Sequence, residues 1–344
     1  MLSSRINQLK HRRRVAGVAV AAIVALGAAG YGVAPVSAKS KPKKAHCSSY
    51  TSMSIGYVPS LSGLSLLVGT KLGIFKAACL NVTPTLISAP PNSYPELLAG
   101  QIQALDGSGL VTATFVGNGA PINIIGGEEV ESTTAGNSKK NWWQIIALKS
   151  NSSVTNLNSL IGQSVGVAQL NSFTELAVDN YLSNEGQDPN SIKWVVIPQA
   201  QQLAALQSGE VAALYAGEPY LTQDEQITPI KSVYSGSPAA DTPVGAYTMT
   251  TAYEAANPTA FHELQKAIPL AYAAIPTHKL LAEGLIKSSL DLTSETVKTM
   301  LFPNYVKKFP VAAEDADLQL ELKFGFIKAI PSNSTLFALP GSGA

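Results

Sequence analysis

Four short polar segments carry the residue types and spacing that could bind a ligand. They are Ser60–Gly63, Gly107–Gly109, Asn171–Thr174 and Gly217–Tyr220, and each lies between a predicted strand and a predicted helix. A helix N-terminus presents unpaired backbone N–H groups and the positive end of the helix dipole. Such a segment can bind an oxyanion without a formal positive charge. For each segment alone, capping of its own helix is the open alternative, and only convergence of all four on one cleft favours ligand binding.

Signals for catalysis or metal binding are weak. The chain has no Gly-x-Ser-x-Gly elbow, Walker loop or Gly-x-Gly-x-x-Gly motif. Its four histidines are isolated in the sequence: His11, His46, His262 and His278. Their spacing predicts no metal cluster, and we expect the adjacent Glu128 and Glu129 to be solvated. We therefore predict a binding protein that has no catalytic residue, no metal and no cofactor.

The first polar segment belongs to a βαβ pattern. Ser54–Val58 favours a strand, apolar residues recur at helical spacing from Leu64, and Asn81–Leu86 favours a second strand. Pro84 places this second strand at or near a sheet edge. A right-handed βαβ unit brings the loop before Leu64 to the carboxyl end of the first strand, where open α/β sheets bind ligands.

The following residues continue this alternation. A capping box at Ser93–Glu96 predicts a helix start, and Gln103–Asp106 and Pro121–Gly126 are predicted strands around a helix over Leu110–Val116. A polar stretch, Glu128–Asn141, is a candidate crossing to a second lobe. These elements predict one doubly wound lobe.

A second set of α/β elements follows the crossing. Strands are predicted at Trp142–Leu148, Val165–Ala168, Ser191–Pro198 and Val211–Tyr215, and a second capping box begins at Ser172. Residues 233–243 are rich in Ser, Gly, Pro and Ala, which is typical of a return crossing. We expect lobe 1 to comprise residues 51–138 and 239–335, and lobe 2 to comprise residues 139–238. The residues from Pro331 onward are expected to form a surface tail. Two α/β lobes joined by two crossings describe a hinged cleft protein.

The N-terminus resembles an export signal. A basic segment, Met1–Arg14, precedes an apolar run of about 20 residues, near membrane-spanning length. Val36-Ser37-Ala38 fits a cleavage site, so residues 1–38 are a predicted signal peptide, by a Sec or twin-arginine route. An uncleaved membrane anchor is the alternative. Residues 39–50 form a basic spacer.

Charge is divided unevenly along the chain. Residues 1–38 hold five of the 24 basic residues and none of the 23 acidic ones, so the rest carries 19 basic against 23 acidic residues, a net of −4. This balance argues against a nucleic acid partner. All four arginines lie within the first 14 residues, so bidentate guanidinium binding of a carboxylate is excluded from the rest of the chain.

The two cysteines, Cys47 and Cys79, suggest a disulfide in an exported chain. The first strand runs to the ligand end and its helix returns, so Cys79 is expected near the start of that strand and therefore near Cys47. Two independent free thiols are the alternative.

These segments resemble the periplasmic substrate-binding proteins of ABC importers for nitrate, sulfonates and taurine, a group that includes thiamine-pyrimidine binders. The resemblance covers residues 52 to about 330 and is carried by IGYVPSLSGLSLLVGTKLGIFKAACLNV, PNSYPELLAGQIQALDGSG, SLIGQSVGVAQLNSFTELAVDNYLSNEGQDPNSIKWVVIP and LQSGEVAALYAGEPY. It implies a type II periplasmic-binding-protein fold. Two departures are Cys79, where the family usually has Gly, and the lack of any arginine in the body.

The resemblance also implies which residues contact the ligand. They follow the strands of both lobes: Tyr57, Ser60, Ser62, Gly107, Ser108, Asn171, Ser172, Phe173, Thr174, Gly217, Glu218 and Tyr220. An aromatic wall of the cleft could be formed by Trp142, Trp143, Trp194, Tyr57 and Tyr220. For the three tryptophans core packing is the expected role.

The expected function is an exported, monomeric solute receptor. It would capture a small oxyanion, such as an alkanesulfonate, taurine or nitrate, by hinge closure and deliver it to an ABC importer permease. An uncharged heterocycle such as a thiamine pyrimidine is the alternative ligand. A membrane-anchored sensor and a same-fold enzyme are the alternative functions.

Overall fold

The structure is a computed structural model that describes residues 47–87, 90–131 and 141–340. Its strands are β1 (Thr51–Tyr57), β2 (Leu80–Leu86), β3 (Ala104–Gly107), β4 (Ile122–Glu131), β5 (Trp143–Leu148), β6 (Ser164–Val167), β7 (Lys193–Val196), β8 (Ala213–Gly217), β9 (Ile230–Tyr234), β10 (Thr242–Thr250) and β11 (Asn304–Tyr305). The helices are α1 (Leu64–Lys71), α2 (Ile74–Ala77), α3 (Pro90–Leu98), α4 (Gly109–Gly117), α5 (Phe173–Asn184), α6 (Gln199–Ser208), α7 (Tyr220–Ile227), α8 (Thr251–Ala256), α9 (Pro258–Thr277), α10 (Lys279–Leu290), α11 (Ser294–Thr299), α12 (Val311–Phe324) and α13 (Asn333–Leu336).

The strands form two mixed sheets, which confirms the α/β fold class. The first sheet has the order β11-β4-β10-β3-β1-β2, and the second has the order β7-β6-β8-β5-β9. In the first sheet β1 pairs in parallel with β2 and β3, while β10 runs antiparallel to β3 and β4. β2 lies at the sheet edge, as Pro84 predicts, since proline cannot donate a hydrogen bond to a further strand.

The chain passes from one sheet to the other twice. It leaves the first sheet after β4 and enters the second at β5, and it returns between Tyr234 and Thr242. In the second sheet, β6 pairs in parallel with β7 and β8. The carboxyl ends of β1 and β3 and those of β6 and β8 are therefore the strand ends that precede the four polar segments. Residues 132–140 of the predicted first crossing lie outside the described residues.

β4 is longer than predicted, and its acidic end is buried. The strand runs to Glu131 rather than ending at Gly126. Glu128 and Glu129 are 3% and 0% exposed, so the prediction that they are solvated was wrong. The polar residues after Gly126 suggested a loop. However, antiparallel pairing with β10 keeps the segment up to Glu131 within the sheet. Tertiary pairing thus overrides local polarity here.

Two other local predictions were wrong. α3 begins at Pro90, so Ser93 and Pro95 lie inside the helix instead of capping it. The residues after Pro331 are not a surface tail, since α13 is followed by Phe337, which is 5% exposed and forms a bridge with Ile124. β9 was also absent from the sequence prediction, and its last two residues, Val233 and Tyr234, fall within the expected return crossing.

Cys47 and Cys79 form the expected disulfide, with Cα atoms 5.4 Å apart. It joins the residues just before β1 to the turn just before β2. Cys79 has φ +58°, a left-handed conformation that glycine adopts without steric cost. A side chain at this position is therefore strained by about 1–2 kcal/mol, and the cross-link holds it in place.

Removing the disulfide should lower the free energy of unfolding by about 3–4 kcal/mol, because the bridge closes a loop between residues 32 apart and so restricts the unfolded chain. Urea unfolding of Cys47→Ser/Cys79→Ser measures this loss. The matched variant Cys47→Ser/Cys79→Gly should recover about 1 kcal/mol, since glycine relieves the left-handed strain. Equal stability of the two variants would contradict the strain at Cys79.

Among the described residues, no helix combines the length and apolar character needed to cross a membrane. The predicted signal peptide, residues 1–38, lies outside the described residues, as does most of the basic spacer.

Candidate ligand-binding cleft

A cavity of about 230 Å³ lies between the carboxyl ends of strands from the two sheets. β1 and β3 supply one wall through the residues that follow them, and β6 and β8 supply the other. We call this cavity the cleft. The residues on its walls are Val58, Ser60, Leu61, Ser62, Ile87, Ser93, Tyr94, Leu105, Asp106, Gly107, Ser108, Val111, Trp142, Val167, Ala168, Gln169, Ser172, Phe173, Thr174, Gln199, Tyr215, Gly217, Glu218, Pro219, Tyr220 and Val244.

Ten of the predicted contact residues line the cleft: Ser60, Ser62, Gly107, Ser108, Ser172, Phe173, Thr174, Gly217, Glu218 and Tyr220. Tyr57 and Asn171 do not. Tyr57 is buried in the core of the first sheet, since the alternation of β1 turns it away from the cleft. Asn171 is exposed and borders a neighbouring depression that Leu170 and Val196 also line. That the ten residues contact a ligand stays a prediction.

Local capping explains how α5 is positioned. Ser172 is its N-cap and accepts a hydrogen bond from the backbone N–H of Glu175. The Glu175 side chain reaches back to accept from the backbone N–H of Asn171 at 2.7 Å. Burial raises the pKa of Glu175 to about 7. The helix end predicted to bind an anion is thus occupied by a carboxyl group of the chain itself.

α7 has a similar arrangement. The Glu218 carboxyl accepts hydrogen bonds from the backbone N–H of Thr222, the hydroxyl of Thr222 and the backbone N–H of Leu301. The last of these bonds ties the end of β8 to the segment after α11. Burial raises the pKa of Glu218, while these donors act in the opposite direction. Glu218 therefore caps α7 and also contributes an acidic group to the cleft wall.

The helix ends contributed by the first sheet are also close to carboxyl groups. Glu314 of α12 lies against Gly109, the first residue of α4, and a β-carbon at that position would be 3.0 Å from Glu314 Oε2. At α1, Ser62 donates a hydrogen bond to Glu129 at 3.0 Å. All four predicted anion-binding segments thus have a glutamate of the chain beside them.

Asp106 lies at the end of β3, on the cleft wall, and is 4% exposed. Its Oδ2 accepts a hydrogen bond from Ser65 at 3.3 Å, and Ser65 shares a further hydrogen bond with Tyr247. Its Oδ1 is buried without a hydrogen-bond partner among the described residues. Burial raises the pKa of Asp106 well above its usual range, and the nearby Glu129 raises it further.

Aromatic side chains form much of the remaining wall. Trp142 stacks with Phe173 at a ring-centroid distance of 6.2 Å, and Tyr215 and Tyr220 lie half-buried on the same side. Trp143 is fully buried behind Phe173, with its ring edge-on. Trp143 packs in the core, as expected. Trp142 belongs to the same hydrophobic core cluster and also lines the cleft.

The cleft walls carry no basic side chain among the described residues: they include no Lys, Arg or His. His262 and His278 lie at α9 and do not border it. Within the described residues, no group of three or more His, Cys, Asp and Glu side chains is arranged to hold a metal ion. The available chemistry is hydrogen bonding, carboxyl electrostatics and aromatic contact.

Sequence reasoning missed several cleft residues, including Asp106, Tyr94 and Tyr215, and it favoured a core role over a wall role for Trp142. Asp106 had a usable signal, because it directly precedes Gly107 at the end of a predicted strand. The sequence contains no signal that places Tyr94 at the cleft, since its position depends on how α3 packs beside β3. Trp142 and Tyr215 lie at strand ends of the second sheet. Their orientation depends on the register in which the strands pair, which the amino-acid sequence alone does not show.

This architecture, with two α/β sheets and a cleft at their strand ends, is that of the periplasmic binding proteins. Residues 48–279 match the model of the NMT1-like family, and the chain belongs to that family. No curated protein sequence matches the chain.

Solved structures share the fold at low sequence identity. The periplasmic aliphatic sulphonate binding protein SsuA from Escherichia coli is 16% identical, with a TM-score of 0.68 over 86% of this chain and 94% of that one. The nitrate-binding protein NrtA from Synechocystis PCC 6803 is 15% identical, with a TM-score of 0.66 over 83% and 84%. The desulfurization enzyme DszB is 13% identical, with a TM-score of 0.60 over 84% and 96%.

Proposed function

We propose that this chain is an exported solute-binding protein of an ABC importer. It captures a small ligand in the cleft by hinge closure and delivers it to a permease as a monomer. The observation that carries the proposal is the convergence of polar strand-end segments from both sheets on one cavity of about 230 Å³. Pockets between α/β units at the carboxyl ends of strands are common ligand sites.

Two further observations support this role. The disulfide between Cys47 and Cys79 fits an oxidising compartment outside the cytoplasm. Among the described residues no histidine borders the cleft and both cysteines are bonded to each other, so the cleft has no nucleophile–base pair built on His or Cys there. A non-catalytic role is therefore favoured over the enzymatic one, although DszB shows that the fold accommodates enzymes.

The oxyanion expected from the sequence stays a candidate ligand, because proteins of this fold include binders of sulphonate and nitrate. The cleft walls favour a ligand without negative charge, such as an uncharged heterocycle. In their ionised forms Asp106 and Glu218 would repel an anion. Trp142, Phe173 and Tyr220 offer faces for a ring.

A thermal-shift panel on the exported form, starting at Lys39, tests the proposal. Probes are nitrate, sulfate, taurine, alkanesulfonates, bicarbonate, pyrimidines and amino acids. A ligand at about 100 times its Kd adds roughly 2.7 kcal/mol to the free energy of unfolding, which corresponds to several degrees in melting temperature. Ser108→Leu, which fills the cleft, should abolish the shift, and the exposed Ser288→Leu on α10 should keep it.

The outcomes separate the candidates. A selective shift with sulfonate or nitrate supports the oxyanion, and a shift with pyrimidines alone supports the heterocycle. A shift that survives Ser108→Leu would contradict binding in the cleft. The absence of any shift with these and the probes below would favour the anchored-sensor alternative.

A further inference from the structure

The helix ends around the cleft already lie beside carboxyl groups of the protein. Glu175, Glu218 and Glu314 lie at the N-termini of α5, α7 and α4, and Ser62 before α1 donates to Glu129. At α7 an oxyanion ligand would have to compete with the Glu218 carboxyl for the backbone N–H of Thr222. At α5 and α4 it would meet the nearby carboxyl groups of Glu175 and Glu314 at the positive end of the helix dipole. The feature that suggested an anion site is therefore used inside the protein.

The cleft walls combine acidic and aromatic side chains. Asp106 and Glu218 are buried on opposite walls, one from each sheet. Trp142, Phe173 and Tyr220 line the same cavity from the side of the second sheet, since Trp142 precedes β5 and the other two residues begin α5 and α7. Aromatic faces attract cations through their electron-rich surfaces, and the attraction grows when water is excluded. Carboxyl groups at close range favour the same sign of charge.

One carboxyl oxygen on this wall lacks an internal partner. Asp106 Oδ2 is engaged by Ser65, but Oδ1 is buried with no hydrogen-bond partner among the described residues. A buried acceptor without a donor is costly, so a ligand that brings a positive charge or an N–H group would relieve this cost. A bound cation also favours the ionised form of Asp106, which counteracts the effect of burial.

We propose that the cleft takes a small organic cation, a protonated amine or a quaternary ammonium, between the aromatic wall and Asp106. This inference rests on the proposed solute-binding function and names the charge class of its ligand. The Trp142 indole N–H is buried on the cleft wall and has no hydrogen-bond partner among the described residues. It supplies one neutral donor for a hydroxyl or carbonyl oxygen on the same ligand.

Three probes that share a bulky trimethyl-substituted end but differ in charge test the proposal by calorimetry on the exported protein. They are choline, its uncharged carbon isostere 3,3-dimethylbutan-1-ol, and 3,3-dimethylbutane-1-sulfonate. Choline should bind at least about tenfold more tightly than the alcohol, because the cation–π and carboxylate attractions together exceed roughly 1.4 kcal/mol. The sulfonate should bind most weakly.

Variants identify the groups responsible. Asp106→Asn keeps the side-chain shape and should reduce the preference for choline over the alcohol to about threefold or less, with circular dichroism confirming the fold. Tyr220→Leu should weaken choline binding by about fivefold or more, and the matched Tyr220→Phe should stay within about twofold, because it keeps the ring.

Equal binding of the three probes, or tightest binding of the alcohol or the sulfonate, would overturn the organic-cation inference and leave the solute-binding proposal intact. Failure of all three probes to bind would also overturn it, and the broader panel above would then decide the solute-binding proposal separately. If Asp106→Asn keeps the full preference for choline over the alcohol, Asp106 does not contribute to cation binding.

Discussion

The free energy of unfolding should fall as the pH rises from about 4.5 to 7. The cause is a set of buried carboxyl groups, Glu129, Asp317 and Glu321, that form no ion pair with a basic side chain of the described residues. Glu129 and Glu321 are fully buried, and Asp317 is 1% exposed. Burial raises the pKa of Glu129 and of Asp317 to about 7 and that of Glu321 to about 9.

The sign of this dependence follows from proton binding. Between the unfolded and the folded pKa values, the folded state holds protons that the unfolded state has released, so raising the pH favours unfolding. The stabilising contribution is complete below the unfolded values near 4 and is lost as the pH passes through the folded values. For Glu129, a shift from 4.5 to about 7 corresponds to about 3 kcal/mol. Coupling among the groups keeps their contributions from adding simply.

Urea unfolding at several pH values between 4.5 and 9 measures the effect. Glu321→Gln should flatten the curve, because neither Glu321 carboxyl oxygen has a hydrogen-bond partner among the described residues. The exposed Glu295→Gln on α11 is the matched control and should leave its shape unchanged. Stability that is constant or rises across this range would show that these carboxyl groups are ionised in the folded protein.

Phe337→Ala should lower the free energy of unfolding by about 3–5 kcal/mol, the usual cost of truncating a buried phenylalanine. Phe337 packs in the core that contains Leu105, Ile124 and Leu318. Its ring lies 5.6 Å from that of Phe309, and the backbone N–H of Ala338 donates to the carbonyl of Ile124. The C-terminal residues thus complete the first sheet's core.

Chemical denaturation of Phe337→Ala against Tyr50→Ala checks this role. Tyr50 is an aromatic residue that is 51% exposed, so its truncation should change stability by less than about 0.5 kcal/mol. A small loss in both variants would mean that residues from Pro331 onward are a surface tail, as the sequence suggested.

Strong local signals allowed much of the fold to be predicted. The βαβ start, the edge position given by Pro84, the N-cap at Ser172 and the disulfide depend on neighbouring residues or on short loops. The errors arose where distant pairing decides the outcome. The acidic end of β4 is a strand because β10 covers it.

The position of the candidate site could be predicted from the sequence, but the carboxyl groups around it could not. Polar segments after strands indicate where a cleft forms, and ten of the chosen residues line one cavity. The positive character of the helix ends is a local property, whereas the carboxyl groups that occupy them come partly from α12 and β4, which are distant in sequence. Only the folded structure brings Glu314 to Gly109.

The most direct test of cleft binding is a tryptophan fluorescence titration of the exported protein with the tightest-binding probe. Trp142 lines the cleft, while Trp143 lies in the core behind it. We expect a saturable change with one ligand per chain that disappears in both Trp142→Phe and Ser108→Leu. Calorimetry should confirm that Trp142→Phe still binds and that Ser108→Leu does not. A saturable change that persists in both variants would place the ligand outside the cleft and contradict the account.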